Sequence, residues 1–325
     1  MLDRATIASL VSKDDCIAAV ESAFAAHAGG YSLAPEMMHV DARGGEFHIK
    51  AGGLCNISGK DSCYFTCKIN GGFFGNYSKL GLPNIIGLIQ LSDGTNGAPL
   101  AVMDSGRITA HRTGAATAVA AKYLARPESK TVTLCGAGSQ GEIQLNYLMR
   151  CLPIERVYVW SRTNCEGFAK RMSRELQIDV QAAANLEAAT GDSDVIVTCT
   201  SATDWFLGLR HVGPGTFVAA VGADSPAKQE LEPALIAQSE VVCDLVAQCA
   251  QVGELHHAIA AGLTTSAQIR GELSGVIAGH SPGRLSADET IIFDSTGVAL
   301  QDTAVAVLAY ERARAMGRGT SFAFC

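Results

Sequence analysis

The sequence lacks the features that direct a chain to nucleic acid, to a membrane or out of the cell. Its net charge is −7, its pI is about 5.6 and it has no basic run, so neither nucleic acid nor an anionic membrane is expected as a partner. It has no apolar run of about 18 residues and no basic-then-apolar leader, so we expect neither a membrane span nor secretion.

The 11 cysteines do not follow the spacing of a redox motif or a metal site. No C-x-x-C pair occurs, and Cys63 and Cys67, spaced C-x3-C, have no matching Cys or His pair after them. Adjacent His256 and His257 would point about 100° apart on a helix, so they would not chelate an ion together. We therefore expect no metal site, and reduced, mostly buried thiols in a cytoplasmic protein.

The first third of the chain changes from a helical to a strand-like pattern. Ser12 is placed to cap a helix that ends at Gly29-Gly30. Short strand-like runs separated by turns extend from Met37 to Val102, which predicts an antiparallel sheet with a hairpin at Ser92–Gly97. The alanine-rich stretch from Thr113 to Leu124 is then predicted to be a helix.

The next segment has the pattern of a dinucleotide-binding turn. A β-branched run, Thr131–Cys135, leads into a G-x-G-x-x-G loop, and a helical pattern follows. Gly136 permits the tight turn, Gly138 lets the backbone approach a pyrophosphate, and Gly141 lets helix and strand pack closely. The helix N-terminus offers unpaired N–H donors to the phosphates.

Strands and helices alternate after this loop. The predicted strands are 157–160, 195–199, 217–221 and 241–244, and the predicted helices are 165–176 and 302–316. This alternation predicts an α/β fold, a Rossmann-type doubly wound parallel sheet, preceded by an N-terminal α+β domain. We expect the first domain to span 1–112, with 302–325 crossing back to it, and the dinucleotide-binding domain to span 113–301.

The end of the second predicted strand of this domain bears on the choice of cofactor. An acidic residue usually binds the ribose hydroxyls there, but this chain has Ser161-Arg162-Thr163. The guanidinium of Arg162 suits the 2′-phosphate of NADP, which is the expected cofactor. The alternative is that Arg162 stacks on adenine or is solvated while NAD binds.

Several motifs in order along the chain resemble the ornithine cyclodeaminase/mu-crystallin family. They are Pro99–Asp104, Arg112-Thr113, the glycine loop, Ser161–Thr163, and Asp294–Gly297 followed by Gln301-Asp302. The resemblance runs through most of the chain. It implies a homodimer in which the N-terminal domain carries the dimer interface and the substrate face, and the second domain is the Rossmann fold.

The resemblance also implies roles for individual residues. Lys68 resembles the family's lysine near the substrate carboxylate and the reacting carbon, Arg112 the arginine that pairs with the α-carboxylate, and Asp224 the acid that faces the substrate nitrogen. The expected dinucleotide contacts are Gly136, Ala137, Gly138, Ser139, Gln140, Gly141, Ser161, Arg162, Thr163, Thr200, Val221, Ser295 and Gly297.

Three of these assignments have structural alternatives. Arg112 is placed where a solvated arginine at the start of a helix is common. Asp224 would cap a helix that begins at Pro226. Ser295 to Gly297, assigned to the nicotinamide end, would instead form a turn that supports the backbone.

One position departs from the family pattern. Family members commonly carry an arginine after a proline in the first strand, whereas this chain has Pro35-Glu36-Met37-Met38-His39. Lys50 and His48 share one face of the next strand by alternation and are candidates to contact the substrate instead. A surface-strand pair is the alternative for these two residues.

Together these residues predict an NAD(P)H-dependent reductase of cyclic or acyclic α-imino acids, which in reverse is an amino acid dehydrogenase. Arg112 and Lys68 would pair with the substrate carboxylate, and Lys68 and Asp224 are the expected catalytic residues. Two alternatives stay open. One is a cyclodeaminase that releases ammonia from an amino acid and recycles NAD, and the other is an NADP-dependent ligand-binding protein like mu-crystallin.

Overall fold

A computed structural model describes residues 1–59 and 61–322. The chain divides into two compact units: the first contains Met1–Ala115 and the chain from Val298 on, and the second contains Ala116–Gly297. The first unit holds an antiparallel sheet and the second a parallel one, so the predicted α/β fold with an N-terminal α+β domain is confirmed. Within the described residues, no helix combines the length and the apolar content needed to cross a membrane.

The first unit is built on a five-stranded antiparallel sheet in which each strand pairs with the next along the chain. Its strands are β1 (Ser32–Ala42), β2 (Gly45–Cys55), β3 (Cys63–Gly72), β4 (Ile85–Asp93) and β5 (Pro99–Asp104). Its helices are α1 (Arg4–Leu10), α2 (Lys13–Ala28), α3 (Asn76–Leu80) and the first part of α4 (Ser105–Leu124), which continues into the second unit.

The second unit is built on an eight-stranded parallel sheet. Its strands are β6 (Thr131–Cys135), β7 (Arg156–Trp160), β8 (Asp179–Ala182), β9 (Val195–Thr198), β10 (Phe217–Ala220), β11 (Glu240–Cys243), β12 (Gly271–Glu272) and β13 (Ile291–Asp294). Its helices are α5 (Ser139–Leu148), α6 (Cys165–Leu176), α7 (Leu186–Thr190), α8 (Pro233–Ala237), α9 (Val246–Val252), α10 (Glu254–Ala260) and α11 (Leu273–Ile277). The strand order is β12-β11-β13-β10-β9-β6-β7-β8.

The last helix, α12 (Ala299–Ala315), belongs to the first unit, where it packs against α2, β2 and β3. The predicted cap of α2 is confirmed, because Ser12 accepts from the backbone N–H of Asp15 and Asp15 accepts from that of Ser12. Val20 and Phe24 of α2 are fully buried. Gly52 of β2 leaves room for the helix, since a Cβ there would lie only 3.0 Å from the methyl carbon of Ala299.

The two faces of the first sheet differ in chemistry because side chains alternate along each strand. Lys50 of β2 and Lys68 of β3 lie directly opposite each other, and both are buried. The other face carries exposed apolar side chains. Because β1 to β4 pair in order, these side chains lie next to one another. They are Met38, Val40, Phe47, Ile69, Ile86 and Leu88, and we call this the outer face of the first sheet.

The predicted start of the alanine-rich helix at Thr113 is wrong. Helix α4 begins at Ser105, eight residues earlier, and its first turns contain the buried side chains of Ile108, His111 and Arg112. Tertiary burial stabilises a segment whose polar and β-branched residues gave no strong helical signal. Arg112 therefore lies inside the helix and is buried, so the alternative of a solvated arginine at a helix start is also wrong.

The expectation that all thiols are reduced is wrong for one pair. Cys55 and Cys63 form a disulfide at the ends of β2 and β3, where the two residues lie directly opposite each other. Their spacing in the sequence matches no recognised motif, and strand pairing alone brings them together. The other described cysteines form no disulfide bond, as expected.

Candidate functional site

Three charged side chains from three elements meet inside the first unit, and we call them the cation cluster: Lys68 of β3, Arg112 of α4 and Asp302 of α12. The ammonium of Lys68 donates to Asp302 Oδ2 at 2.7 Å, and Nε of Arg112 donates to Asp302 Oδ1 at 3.2 Å. Their exposures are only 2%, 6% and 0%. One carboxylate thus joins the two cations that the sequence analysis assigns to the substrate.

Lys50 lies next to the cation cluster. Its Cα pairs with Lys68 on one side and with Met37 on the other, and Met37 lies in the stretch 35–39, which has no arginine where the family resemblance leads us to expect one. Burial lowers the pKa of Lys68 to about 7; Asp302 opposes this effect, and Arg112 and Lys50 reinforce it. Burial raises the pKa of Asp302, but the neighbouring cations outweigh it and hold that pKa below its usual value. An ionised acid is therefore surrounded by three buried basic side chains.

Gln301 extends this arrangement. Its side-chain oxygen accepts from Nη1 of Arg112 at 2.9 Å. Its Nε2 is buried and has no hydrogen-bond partner among the described residues, so an amide donor is available to an acceptor that the chain itself does not supply. Gln301 and Asp302 were missed as site residues. The signal was a polar pair at the start of an otherwise apolar helix, in a motif already used for the family resemblance.

His48 lies on the same face of β2 as Lys50 but makes different contacts. Its Nε2 is 3.0 Å from Oε1 of Glu46, and its ring centroid is 4.8 Å from that of His39. The structure therefore brings Lys50 to the cation cluster and places His48 in a second group of side chains.

In the second unit, the glycine loop between β6 and α5 has the geometry of a phosphate-binding turn. Gly136 has φ +124°, and a Cβ there would lie 2.9 Å from the carbonyl oxygen of Cys199. A Cβ on Gly141 would overlap the carbonyl oxygen of Gly136. At Gly138, by contrast, a Cβ would meet no atom within 4 Å. Open space thus lies in front of the loop's middle glycine, where a pyrophosphate would approach.

The start of α5 also suits the binding of a dinucleotide at the glycine loop. Gly138 is the N-cap of α5, a ten-residue helix whose first residue is Ser139, and both residues are exposed. The side-chain oxygen of Gln140 is also without a hydrogen-bond partner among the described residues, but as an acceptor it offers nothing to phosphate oxygens. Ala137, between the first two glycines, is half-buried. These residues fit a bound dinucleotide.

The loops after β9 and β10 are held by a buried acid that sequence analysis missed. Glu230 accepts from the backbone N–H and the hydroxyl of Thr200, both at 2.6 Å, and from the N–H of Gly222 at 3.0 Å. Burial raises the pKa of Glu230, although these donors oppose it. Thr200 and Val221 therefore lie at the carboxyl ends of β9 and β10, beside the point where the strand order reverses between β6 and β9.

The Ser161–Thr163 turn follows β7, which pairs with β6. The N–H of Gly136 donates to the carbonyl of Trp160 at 2.9 Å, so this turn lies at the same edge of the sheet as the glycine loop. Arg162 and Thr163 are exposed and Ser161 is half-buried. A guanidinium is therefore available at the position where an acid usually binds ribose.

Asp224 is paired with a lysine in the second unit. Nζ of Lys228 lies 2.5 Å from Oδ1 of Asp224. The side chain of Lys228 is 18% exposed and that of Asp224 is 36% exposed. The segment after Asp224 is a turn, and the next helix begins only at Pro233. The alternative in which Asp224 caps a helix at Pro226 is therefore wrong.

The turn at Ser295–Gly297 is held by Asp244. The hydroxyls of Ser295 and Thr296 and the N–H of Gly297 donate to its carboxylate, the last at 2.6 Å. Asp244 is buried and was missed by the sequence analysis. The polar groups of this turn therefore have a supporting role within the second unit.

Comparison with known proteins identifies the family of this chain. The family model of the ornithine cyclodeaminase/mu-crystallin family matches residues 1–317. The chain belongs to this family. The match spans both units, so the family resemblance inferred from the separate motifs is confirmed.

Three solved relatives share the fold over nearly the whole chain. An archaeal alanine dehydrogenase dimer with bound NAD is 34% identical, with a TM-score of 0.92 over 100% of this chain and 98% of its own. The Δ1-pyrroline-2-carboxylate reductase of Thermococcus litoralis, solved with NADH and L-proline, is 31% identical, with a TM-score of 0.92 over 99% of each chain. The iminosuccinate reductase of Paracoccus denitrificans, solved with NAD+, is 33% identical, with a TM-score of 0.86 over 97% of this chain and 96% of its own.

Proposed function

We propose that this protein is a nicotinamide-dependent reductase of α-imino acids, cyclic or acyclic, and in reverse an amino acid dehydrogenase. The observation that carries the proposal is the cation cluster: Lys68 and Arg112 share the single carboxylate of Asp302, beside an amide donor of Gln301 that lacks a partner among the described residues. A substrate carboxylate supplies the acceptor that this arrangement favours. Related reductases act on imino acids, which supports the same substrate class.

The first unit is assigned to holding the substrate. Arg112 binds the α-carboxylate with its guanidinium, and Lys68 binds one of the same oxygens with its ammonium. Lys50 takes over the role of the family's missing arginine, because it lies opposite both Lys68 and Met37 and is buried. His48 is the weaker candidate for substrate contact, since its nearest partners are Glu46 and His39. This arrangement fixes the orientation of the C=N group.

The second unit is assigned to the dinucleotide and to the proton on nitrogen. When bound, the nicotinamide supplies the hydride that reduces the C=N carbon. The carboxylate of Asp224 holds the protonated imine nitrogen while its carbon is reduced, relays a proton from solvent to the resulting amine and pairs with the ammonium so formed. Lys228, 2.5 Å from Asp224, keeps its charge balanced and competes with the substrate nitrogen for the same carboxylate oxygen. The glycine loop, Thr200 and Val221 would hold the dinucleotide, and Ser295 and Gly297 would lie at its nicotinamide end.

For the cofactor we favour NADP. Arg162 is exposed, with Ser161 and Thr163 on either side, and this position carries no acid that would repel a 2′-phosphate. The solved relatives carry NAD or NADH, so the competing assignment is NAD. Titration with both reduced cofactors discriminates. We expect a lower Kd for NADPH that rises in Arg162→Ser, and a clear preference for NADH in kcat/KM would overturn the NADP assignment.

We also propose that the protein is a cytoplasmic homodimer that uses the outer face of the first sheet as its interface. A face of six exposed apolar side chains is rare on a monomer. Ile69→Lys should convert the dimer into a monomer in light scattering, whereas Leu263→Lys, which changes an exposed leucine of the second unit, should not. A dimer that persists in Ile69→Lys would contradict this assignment.

The experiment that tests the proposed function is a panel of α-imino acids assayed with NADPH and NADH. We expect turnover of at least one cyclic or acyclic imino acid, and loss of it in Lys68→Ala and Asp224→Asn. Lys130→Ala removes an exposed lysine that pairs with Glu155 at the surface, and it should leave the rate unchanged. Full activity in both site variants would show that these residues are assigned wrongly. Cofactor binding without any turnover would favour the ligand-binding alternative.

A further inference from the structure

The end of the β1–β2 hairpin carries four metal-ligating side chains on one face. Cα pairing sets His39 opposite His48 and Asp41 opposite Glu46. The residues within each strand are two apart, so all four side chains lie on the same face of the hairpin. We call this group the hairpin cluster.

The ligand atoms of this cluster converge. Nε2 of His48 lies 3.0 Å from one oxygen of Glu46, and Nε2 of His39 lies 3.6 Å from the other. The same nitrogen of His39 is 3.1 Å from Oδ1 of Asp41. The ligand atoms of His39, Glu46 and His48 all lie within 4.8 Å of one another. The imidazoles of His39 and His48 therefore each direct their Nε2 atom at the carboxylate of Glu46.

These separations match the spacing of ligands around one small cation. Zinc binds imidazole nitrogen and carboxylate oxygen at about 2.0–2.2 Å, so ligands at tetrahedral angles lie roughly 3.4 Å apart. Two histidines and a carboxylate form a donor set that zinc and other divalent transition metals use. The carboxylate of Asp41, whose side chain is 94% exposed, lies 3.1 Å from Nε2 of His39 and is near enough to supply a fourth ligand.

The site is open enough to load. The side chains of His39, Glu46 and His48 are 30%, 22% and 12% exposed, so an ion reaches the ligands from solvent without unfolding of the hairpin. The second group of potential ligands, Cys243, Cys249 and Asp294, is fully buried in the second unit and serves as an internal comparison.

We propose that His39, Glu46 and His48, with Asp41 as a fourth ligand, bind one divalent transition-metal ion of the zinc class. The site differs from the expectation of no metal, which weighed only cysteine spacing and adjacent histidines. The pairing of β1 with β2 creates it, and no sequence motif does. His48 is two residues from Lys50 on the same face, so the ion adds positive charge beside the residues proposed to hold the substrate.

The test is calorimetric titration of ZnCl2 into chelator-stripped, full-length protein that carries no polyhistidine tag. We expect one ion per chain, and a Kd at least tenfold higher in Glu46→Gln and in His48→Ala. His280→Ala, which removes an exposed histidine of the second unit, should bind like the unmodified protein. Cobalt replaces zinc as a spectroscopic probe, and its ligand-field bands should disappear in the same two variants.

Three results would overturn the proposal. One is the absence of stoichiometric zinc binding. Another is unchanged affinity in both Glu46→Gln and His48→Ala when circular dichroism shows that these variants are folded. The third is loss of binding in Cys249→Ser with full retention in Glu46→Gln, which would assign the ion to the buried group instead.

Discussion

Asp302 is the residue on which the cation cluster depends. It is fully buried, and its two oxygens accept from Lys68 and Arg112, one each. A buried charge is tolerated only when it is paired, so Asp302 makes it possible for two basic side chains to remain inside the first unit.

Asp302→Asn should therefore destabilise the protein strongly. It leaves two buried cations without their counter-charge, which costs about 3–5 kcal/mol when one partner of a buried pair is removed. Asp179→Asn is the matched control, since it breaks an exposed pair with Arg156 and should change stability within experimental error. Urea unfolding measures both. Equal stabilities of the two variants would contradict the structural role of Asp302.

The pKa of Lys68 gives a pH prediction. Because burial lowers it to about 7, the ammonium that we propose binds the substrate carboxylate is progressively lost above that pH. We expect KM for an imino acid to rise between pH 7 and 9 and to become nearly constant only about one pH unit below 7, where the ammonium is almost fully formed. Lys68→Arg keeps its charge, so it should remove this part of the pH dependence, while any titration of the substrate itself remains. An identical KM profile in Lys68→Arg would show that Lys68 does not titrate in this range.

At the scale of single residues, the sequence predicts the charged groups better than their partners. Lys68 and Arg112 follow from the family motifs, but Asp302 lies about 190 residues further on than Arg112, and only the fold brings them together. Asp244 and Glu230 were missed for the same reason. Each carboxylate accepts a hydrogen bond from a backbone N–H of a loop, and no local sequence pattern indicates that role.

At the scale of elements, the β6–loop–α5 unit offers the clearest test. Gly141→Ala places a methyl group against the carbonyl of Gly136 and should destabilise the protein by about 1–3 kcal/mol through overpacking. Gly138→Ala meets no atom within 4 Å, so its thermal midpoint should be unchanged. Its cofactor Kd should nevertheless rise about tenfold, or ~1.4 kcal/mol, because the methyl group occupies the pyrophosphate's path.

Thermal unfolding and fluorescence titration with the reduced cofactor separate these two effects. If Gly138→Ala binds the cofactor normally, the pyrophosphate does not approach this glycine. If Gly141→Ala is as stable as the unmodified protein, close packing of α5 on β6 is not required.

The elements that were predicted well are those with a strong local signal. The glycine loop, α6 and the cap of α2 match the structure. The first turns of α4 were missed because tertiary burial stabilises them. Strand β13, four buried residues long, was also missed, although β9 and β10, which are as short and as buried, were predicted.

At the scale of the whole molecule, buried acids of the second unit link stability to pH. Burial raises the pKa of Asp294 to about 7 from its usual value of 3.8, and nearby Asp244 reinforces this effect. The folded state thus binds this proton more tightly than the unfolded state. The contribution of Asp294 to stability is complete below about pH 4 and is lost as pH rises through 7, by up to ~1.4 kcal/mol per pH unit.

Urea unfolding at several pH values between 4 and 8 tests this linkage. The free energy of unfolding of Asp294→Asn should change less over this range than that of the unmodified protein, because asparagine does not titrate. Glu230 and Glu254, whose pKa values burial also raises, keep part of the dependence in the variant. Parallel pH profiles for the two proteins would contradict the assignment to Asp294.

The central claim is that the chain reduces an imino acid by net hydride transfer. The most direct measurement follows the absorbance of the reduced cofactor while the amino acid product is quantified, with Δ1-pyrroline-2-carboxylate as the first substrate of the panel. We predict one cofactor oxidised per amino acid formed, and loss of both signals in Arg112→Ala. Release of ammonia and formation of proline from ornithine, with no net change in cofactor absorbance, would contradict the claim.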